Sequence, residues 1–145
     1  MLGLEMKDVN ILGIPHMIEV CLNTSYHSRY MHQGALLVVG VGGLGCLWAE
    51  RAHSRCSQFS DLLLIDADEN TFNGSNEAHC LHLDAAGEAR GTAALPMLAK
   101  HRLKEGINNI QTLLDKAELV VILTCLGGGV GSGASSEFAS LARGS

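Results

Sequence analysis

The stretch from Leu119 to Gly133, LVVILTCLGGGVGSG, constrains the fold more than any other, because an apolar strand runs directly into five glycines and a serine. Leu119 to Thr124 is apolar and β-branched, the pattern of a buried strand, and Ala134 to Ala142 reads as a helix. Between them Gly127, Gly128, Gly129, Gly131 and Gly133 strip side chains from a loop that opens a helix. Backbone N–H groups exposed at such a turn, added to the positive end of a helix dipole, suit phosphate oxygens. Ser132 offers a hydroxyl donor as well. A flexible glycine linker has the same composition but not the flanking strand and helix.

A second glycine turn lies upstream. Ala35 to Val39 is a continuous apolar strand, followed by Gly40-Val41-Gly42-Gly43-Leu44-Gly45 and a helix expected from about Cys46 to Ser54. The G-x-G-x-x-G pattern at a strand-to-helix turn permits close approach of a phosphate. By itself it fits dinucleotide-binding dehydrogenases, adenylyltransferases of the ubiquitin-activating type and the first phosphate loop of FtsZ equally well. Leu62 to Ile65 forms a second strand that ends in Asp66-Ala67-Asp68. An acidic residue there commonly meets a ribose hydroxyl, and the same residues also make an ordinary solvated turn. Both readings stay open.

Cys80 to Leu83 reads as a short strand on which Cys80, His82 and Asp84 share one face. No second ligand group at a metal-binding spacing accompanies them, so a sheet edge with a polar outer face is the better reading. Ala85 to Pro96 is a small-residue loop, and helices are expected over Met97 to Glu105 and Ile107 to Lys116. Leu98, Arg102 and Glu105 on one side, with Lys100, His101 and Lys104 on another, give a partly solvated helix.

GGGVGSG resembles the signature loop of the tubulin/FtsZ superfamily, GGGTGTG or GGGTGSG, with Val130 where the family usually has threonine. The resemblance runs from about Ala35 to Ala142: a glycine turn after the first strand, an acidic turn after the second, a small-residue loop, then the signature loop after the fourth. Asp66 to Phe72 is similar to the family stretch NTDAQAL, and Ala85 to Pro96 takes the place of the loop that closes over the γ-phosphate. The resemblance implies a Rossmann-like α/β three-layer sandwich with a mostly parallel sheet, truncated after the fourth strand. It implies nucleotide contacts at Gly42, Gly43, Leu44, Gly45, Cys46 and Leu47, at Asp66 and Asp68, and at Gly127, Gly128, Gly129, Val130, Gly131, Ser132 and Gly133. GTP or GDP is the implied ligand, with Mg2+ accompanying it, and self-association or assembly with related FtsZ-like subunits in cell division is the implied role. Leu47 replaces the family's phosphate-loop asparagine, and Leu44 and Cys46 replace glycines, so altered nucleotide affinity is expected.

Composition excludes several other classes. At 47% hydrophobic and 17% charged, the 145 residues make one globular domain. The net charge of −5 disfavours a nucleic-acid backbone as partner. Five cysteines, odd in number and without a C-x-x-C pair, argue for reduced thiols and a cytoplasmic setting. No apolar run reaches membrane-spanning length, so direct membrane insertion is not expected. Residues 1–33, with a short strand over Val9 to Ile14, form an amino-terminal extension without an assigned role, and 34–145 form a partial nucleotide-binding domain. Because the family's acidic hydrolysis loop lies beyond this stretch, at most trace GTPase activity is expected of the chain alone. Three readings follow: an FtsZ-like GTP-binding module, an adenylyltransferase or NAD-binding enzyme, and an inactive truncated relative. Ser75-Asn76 lacks the arginine that adenylyltransferases place after such a pair, and a dehydrogenase has no use for GGGVGSG.

Overall fold

The computed structural model describes residues 33–83 and 96–144. Strands β1 (Leu36–Val41), β2 (Ser60–Asp66), β3 (His79–His82) and β4 (Leu119–Thr124) form one sheet in the order β3-β2-β1-β4, every neighbouring pair parallel. Helix α1 (Gly43–His53) follows β1, while α2 (Pro96–Gly106) and α3 (Gln111–Lys116) precede β4 and α4 (Gly129–Gly144) follows it. Short 3-10 turns occupy Glu69–Phe72 and Ile107–Asn109. The expected Val9 to Ile14 strand and most of the Ala85 to Pro96 loop lie outside the described residues.

Alternation along the strands builds two cores, as both faces of a parallel sheet demand. Leu37, Val39, Val41, Leu63, Ile65, Val120 and Ile122 pack against α2, α3 and α4. Leu36, Val38, Leu62, Leu64 and Leu123 face α1, where Cys46 and Ala49 meet them. The result is the three-layer Rossmann-like sandwich that the sequence implied. β3 is an edge strand with Leu81 buried and Cys80 and His82 exposed, a polar outer face; Asp84 lies outside the described residues.

Two helices begin earlier than their apolar periodicity indicates, α1 at Gly43 and α4 at Gly129. Glycine disfavours helix by about 1 kcal/mol relative to alanine, which made these residues read as loop. Packing overrides that preference. A Cβ at Gly45 would overlap the Leu123 carbonyl oxygen of β4, and one at Gly133 would overlap the Pro96 carbonyl at the start of α2.

The partly solvated face expected on α2 is present, with His101 and Lys104 exposed. Arg102 is buried and its Nη1 donates to the Leu83 carbonyl at 3.0 Å, at the end of β3. Lys100 and Lys104 close on Glu137 of α4 at 2.8 and 3.1 Å. Hydrogen bonding from Lys100, and then from Lys104, holds the Glu137 carboxyl below its ordinary 4.5, against the upward push of burial. With the folded-state value depressed, the clasp's stabilisation is fully present above pH 4.5 and is lost as pH falls through the folded-state value. Glu137→Gln should therefore melt below the parent at neutral pH, and the gap between the two melting temperatures should narrow on acidification below that value. A gap independent of pH would contradict the clasp.

Candidate functional site

The strand order reverses between β1 and β4: the chain runs outward from β1 through β2 to β3, then returns to β4 on the other side of β1. Helices leaving these two strands pass to opposite faces, which opens a crevice at the carboxyl ends of the strands, the usual ligand position in open α/β sheets. Both glycine turns sit there. A Cβ built on Gly42 would stand 3.5 Å from the Gly131 amide nitrogen, so the turns touch. Gly42 itself adopts φ +78°, a left-handed backbone that glycine takes without strain.

The cleft between the turns has a volume of about 290 Å³. One wall is Val41, Gly42, Gly43 and Leu44; the other is Cys125 with Gly127 to Gly131; Asp66 closes a third side. Helix geometry supplies its chemistry. The first i→i−4 bonds of the two helices run from Cys46 N to Gly42 O at 2.8 Å and from Ser132 N to Gly128 O at 3.2 Å. Amides of Gly43, Leu44 and Gly45, and of Gly129, Val130 and Gly131, therefore precede the intrahelical ladder and have no acceptor within their helices. Neither helix carries an acidic residue in its first turn, and Gly42 supplies no side-chain cap. Two positive helix ends thus face one small volume, an arrangement suited to phosphate oxygens.

Asp66 is buried at the end of β2. One carboxylate oxygen accepts from the Ala67 amide and the other from the Thr71 hydroxyl, each at 2.7 Å. Its Oδ2 stands 3.6 Å from a Cβ built on Gly43, so the charge lies beside the opening of α1.

The remaining residues singled out by resemblance lie away from this cleft. Cys46 points into the core under α1, its thiol directed at the Gly40 and Ile65 carbonyls, and burial pushes its pKa up to about 12. Gly45 is the contact point between α1 and β4, and Gly133 that between α4 and α2. Leu47 is exposed one turn along α1. Asp68 is exposed and caps the 3-10 turn, accepting from the Asn70 amide at 3.0 Å. Ser132 lies outside the lining, its amide already inside the helix. Conversely, Val41 and Cys125 line the cleft although neither was singled out as a contact; Val41 is only a variable position of the G-x-G-x-x-G pattern, and Cys125 follows a strand that ends in a glycine turn, which is its only signal. Among the described residues, no cluster of three or more histidine, cysteine or acidic side chains could hold a metal ion.

The family model of the Tubulin/FtsZ family, GTPase domain, matches residues 35–145, most of the chain. The chain belongs to the tubulin/FtsZ family. It is similar to the cell division protein FtsZ of Mycoplasmopsis pulmonis, 31% identical over 73% of this chain and 27% of that protein. It is likewise similar to the cell division protein FtsZ 1 of Thermococcus kodakarensis, 31% identical over 77% of this chain and 30% of the relative. FtsZ 1 of Archaeoglobus fulgidus matches at 25% identity over 73% of the chain and 29% of its own length. The chain spans less than a third of the length of these curated relatives. Tubulin/FtsZ membership disfavours the adenylyltransferase and NAD-enzyme readings, and no helix among the described residues is long and apolar enough to cross a membrane.

Proposed function

We propose that the domain holds a guanine nucleotide by its phosphates, gripped between the amides that open α1 and α4, and that it works by assembling with its own copies or related subunits in cell division, in the cytoplasm. The observation that carries this reading is the contact of two glycine turns at the β1/β4 switch point in a domain of this family. Gly42, Gly43, Leu44, Gly129, Val130 and Gly131 are the residues that would meet the phosphates. A Mg2+ ion would enter with the nucleotide; Asp66 is the carboxylate in the lining, and its oxygens keep lone pairs beyond the bonds from Ala67 and Thr71. When bound, that ion supplies charge neutralisation for the phosphates.

Thermal melting with GDP, GTP, ATP and NAD tests the reading. A guanine nucleotide at a hundred times its dissociation constant stabilises the folded state by about 2.7 kcal/mol, a shift of several degrees. ATP or NAD acting as strongly as GDP would sink it. Association is followed separately, by sedimentation with and without nucleotide.

Asp66 gives a second expectation. With divalent cations chelated, a buried carboxylate beside phosphate oxygens opposes binding, so Asp66→Asn should bind inorganic pyrophosphate about tenfold more tightly than the parent, equivalent to about 1.4 kcal/mol. Isothermal titration in EDTA reads this directly. Unchanged or weaker binding would place Asp66 away from the anion.

A further inference from the structure

Beneath the cleft the Gly131 carbonyl oxygen receives two hydroxyls. Thr124 Oγ1, from the end of β4, donates at 3.3 Å. Ser135 Oγ, one turn along α4, donates to the same oxygen. Ser135 is 7% exposed, and neither hydroxyl belongs to the lining of the cleft. A serine bonding its own i−4 carbonyl is common in helices and needs no special explanation. Thr124 is different, because it reaches across from the strand to the first turn of the helix.

The peptide that carries the Gly131 carbonyl also carries the Ser132 N–H, and that N–H donates to the Gly128 carbonyl at 3.2 Å. The Gly128 carbonyl in turn shares its peptide with the Gly129 N–H, which precedes the helical ladder at the edge of the cleft. Hydroxyl, peptide, peptide and cleft are therefore connected in series. In such a chain each hydrogen bond polarises the next, strengthening it by about 10–30% per bond.

We infer that Thr124 and Ser135 are positioning residues for the phosphate cleft: by binding the Gly131 carbonyl they fix the first turn of α4 against β4 and, through the Ser132–Gly128 bond, strengthen Gly129 N–H as a donor to the ligand. The inference rests on the proposed phosphate-binding role of the cleft. It assigns a function to two hydroxyls that touch no ligand. It also gives the loop a source of polarity where Val130 supplies none.

The test uses the full chain with Thr124→Val, Ser135→Ala, the double variant and Thr124→Ser, with inorganic pyrophosphate and GDP as probes. Titration calorimetry gives affinity, and the amide resonance of Gly129 in a nitrogen-15 spectrum reports the relay with no ligand present. Each single loss should weaken binding about three- to tenfold, in line with one hydrogen bond. The Gly129 amide proton should move upfield, and Thr124→Ser should restore both readouts. A purely structural role would lower the melting temperature and leave the Gly129 resonance in place, and that result overturns the inference. Parent binding that the double variant leaves unchanged overturns the inference alone. Absence of binding in the parent overturns the phosphate-binding reading and this inference with it.

Discussion

Replacing Gly131 by alanine should abolish the thermal shift expected of the parent protein with a guanine nucleotide, with at least a tenfold loss of affinity, the equivalent of about 1.4 kcal/mol. The added Cβ would overlap the Cys125 carbonyl oxygen and stand 3.0 Å from Thr124 Oγ1, and the first of these is backbone. Backbone cannot rotate aside as a flexible side chain does, so the opening turn of α4 must move off β4. That movement carries the amides of Gly129 and Gly131 away from Gly42. Overpacking of this kind also costs about 1–3 kcal/mol of stability. Gly144→Ala is the matched control: it ends α4 outside the cleft lining, nothing lies within 4 Å of its Cβ position and its backbone is not left-handed, so affinity should stay within about twofold of the parent. Calorimetric titration of both variants, with melting curves of the free proteins, checks the pair. Equal affinity of Gly131→Ala and Gly144→Ala would mean that the turn's close approach to β4 is irrelevant to binding.

Legibility of the fold in the sequence followed from burial. The strand over Leu119 to Thr124 was readable to the residue because its side chains from Leu119 to Leu123 are uniformly apolar and serve the cores on both faces of the sheet. The openings of α1 and α4 were not, since glycine carries a helix penalty that periodicity takes for a loop. What overrides it is contact with Leu123 and Pro96, neighbours that sequence does not place in space. The same limitation governs the site. A motif names residues in a run, whereas a cleft selects those whose backbone faces it. Thus Gly42, Gly43 and Gly131 converge, Cys46 and Gly45 turn to the core, and Gly133 is spent on helix packing. The places of Cys125 at the cleft and of the Thr124 and Ser135 hydroxyls on the Gly131 carbonyl emerge only from geometry. Arg102 read only as one side of a partly solvated helix; its burial follows from a carbonyl at a strand end, to which it donates.

The departures from the family's loop acquire a common meaning in this arrangement. Leu44 is 44% exposed and Leu47 42%, so neither side chain fills the core and neither donates a hydrogen bond. Val130 is buried, facing the apolar cluster under α4. Leu44, Leu47 and Val130 thus offer no polar side chain, while the backbone of the two turns brings the amides to one cleft. Affinity should then depend on glycine positions and on the seating of the opening turn of α4 against β4 more than on any lining side chain.

Helix anchoring is where the largest stability effect is expected. Phe138 is fully buried, heads the largest side chains of the core, and packs α4 onto the sheet with Val130, Ala134 and Ala142 in the same cluster. Phe138→Ala removes most of that volume from a region closed by α2 and the sheet, so collapse around the cavity is limited and the cost should be about 3–5 kcal/mol. Against a total of about 5–15 kcal/mol for a native domain, that is a large fraction. At about 2–4 °C per kcal/mol for a chain near this size, the melting temperature should fall by roughly 10 °C. Phe138→Leu, which keeps most of the volume, should lose much less. Calorimetric melting distinguishes them, and a Phe138→Ala protein that melts within a degree or two of the parent would contradict the placement of this helix. Binding separates the two kinds of anchor. Well below its own midpoint, Phe138→Ala should retain nearly parental nucleotide affinity, because the contact of Gly131 with β4 is unchanged in the folded fraction. Gly131→Ala should lose affinity out of proportion to its loss of stability. That inverse ordering is what two touching glycine turns require, and a simple correlation of affinity with stability across the variants would not produce it.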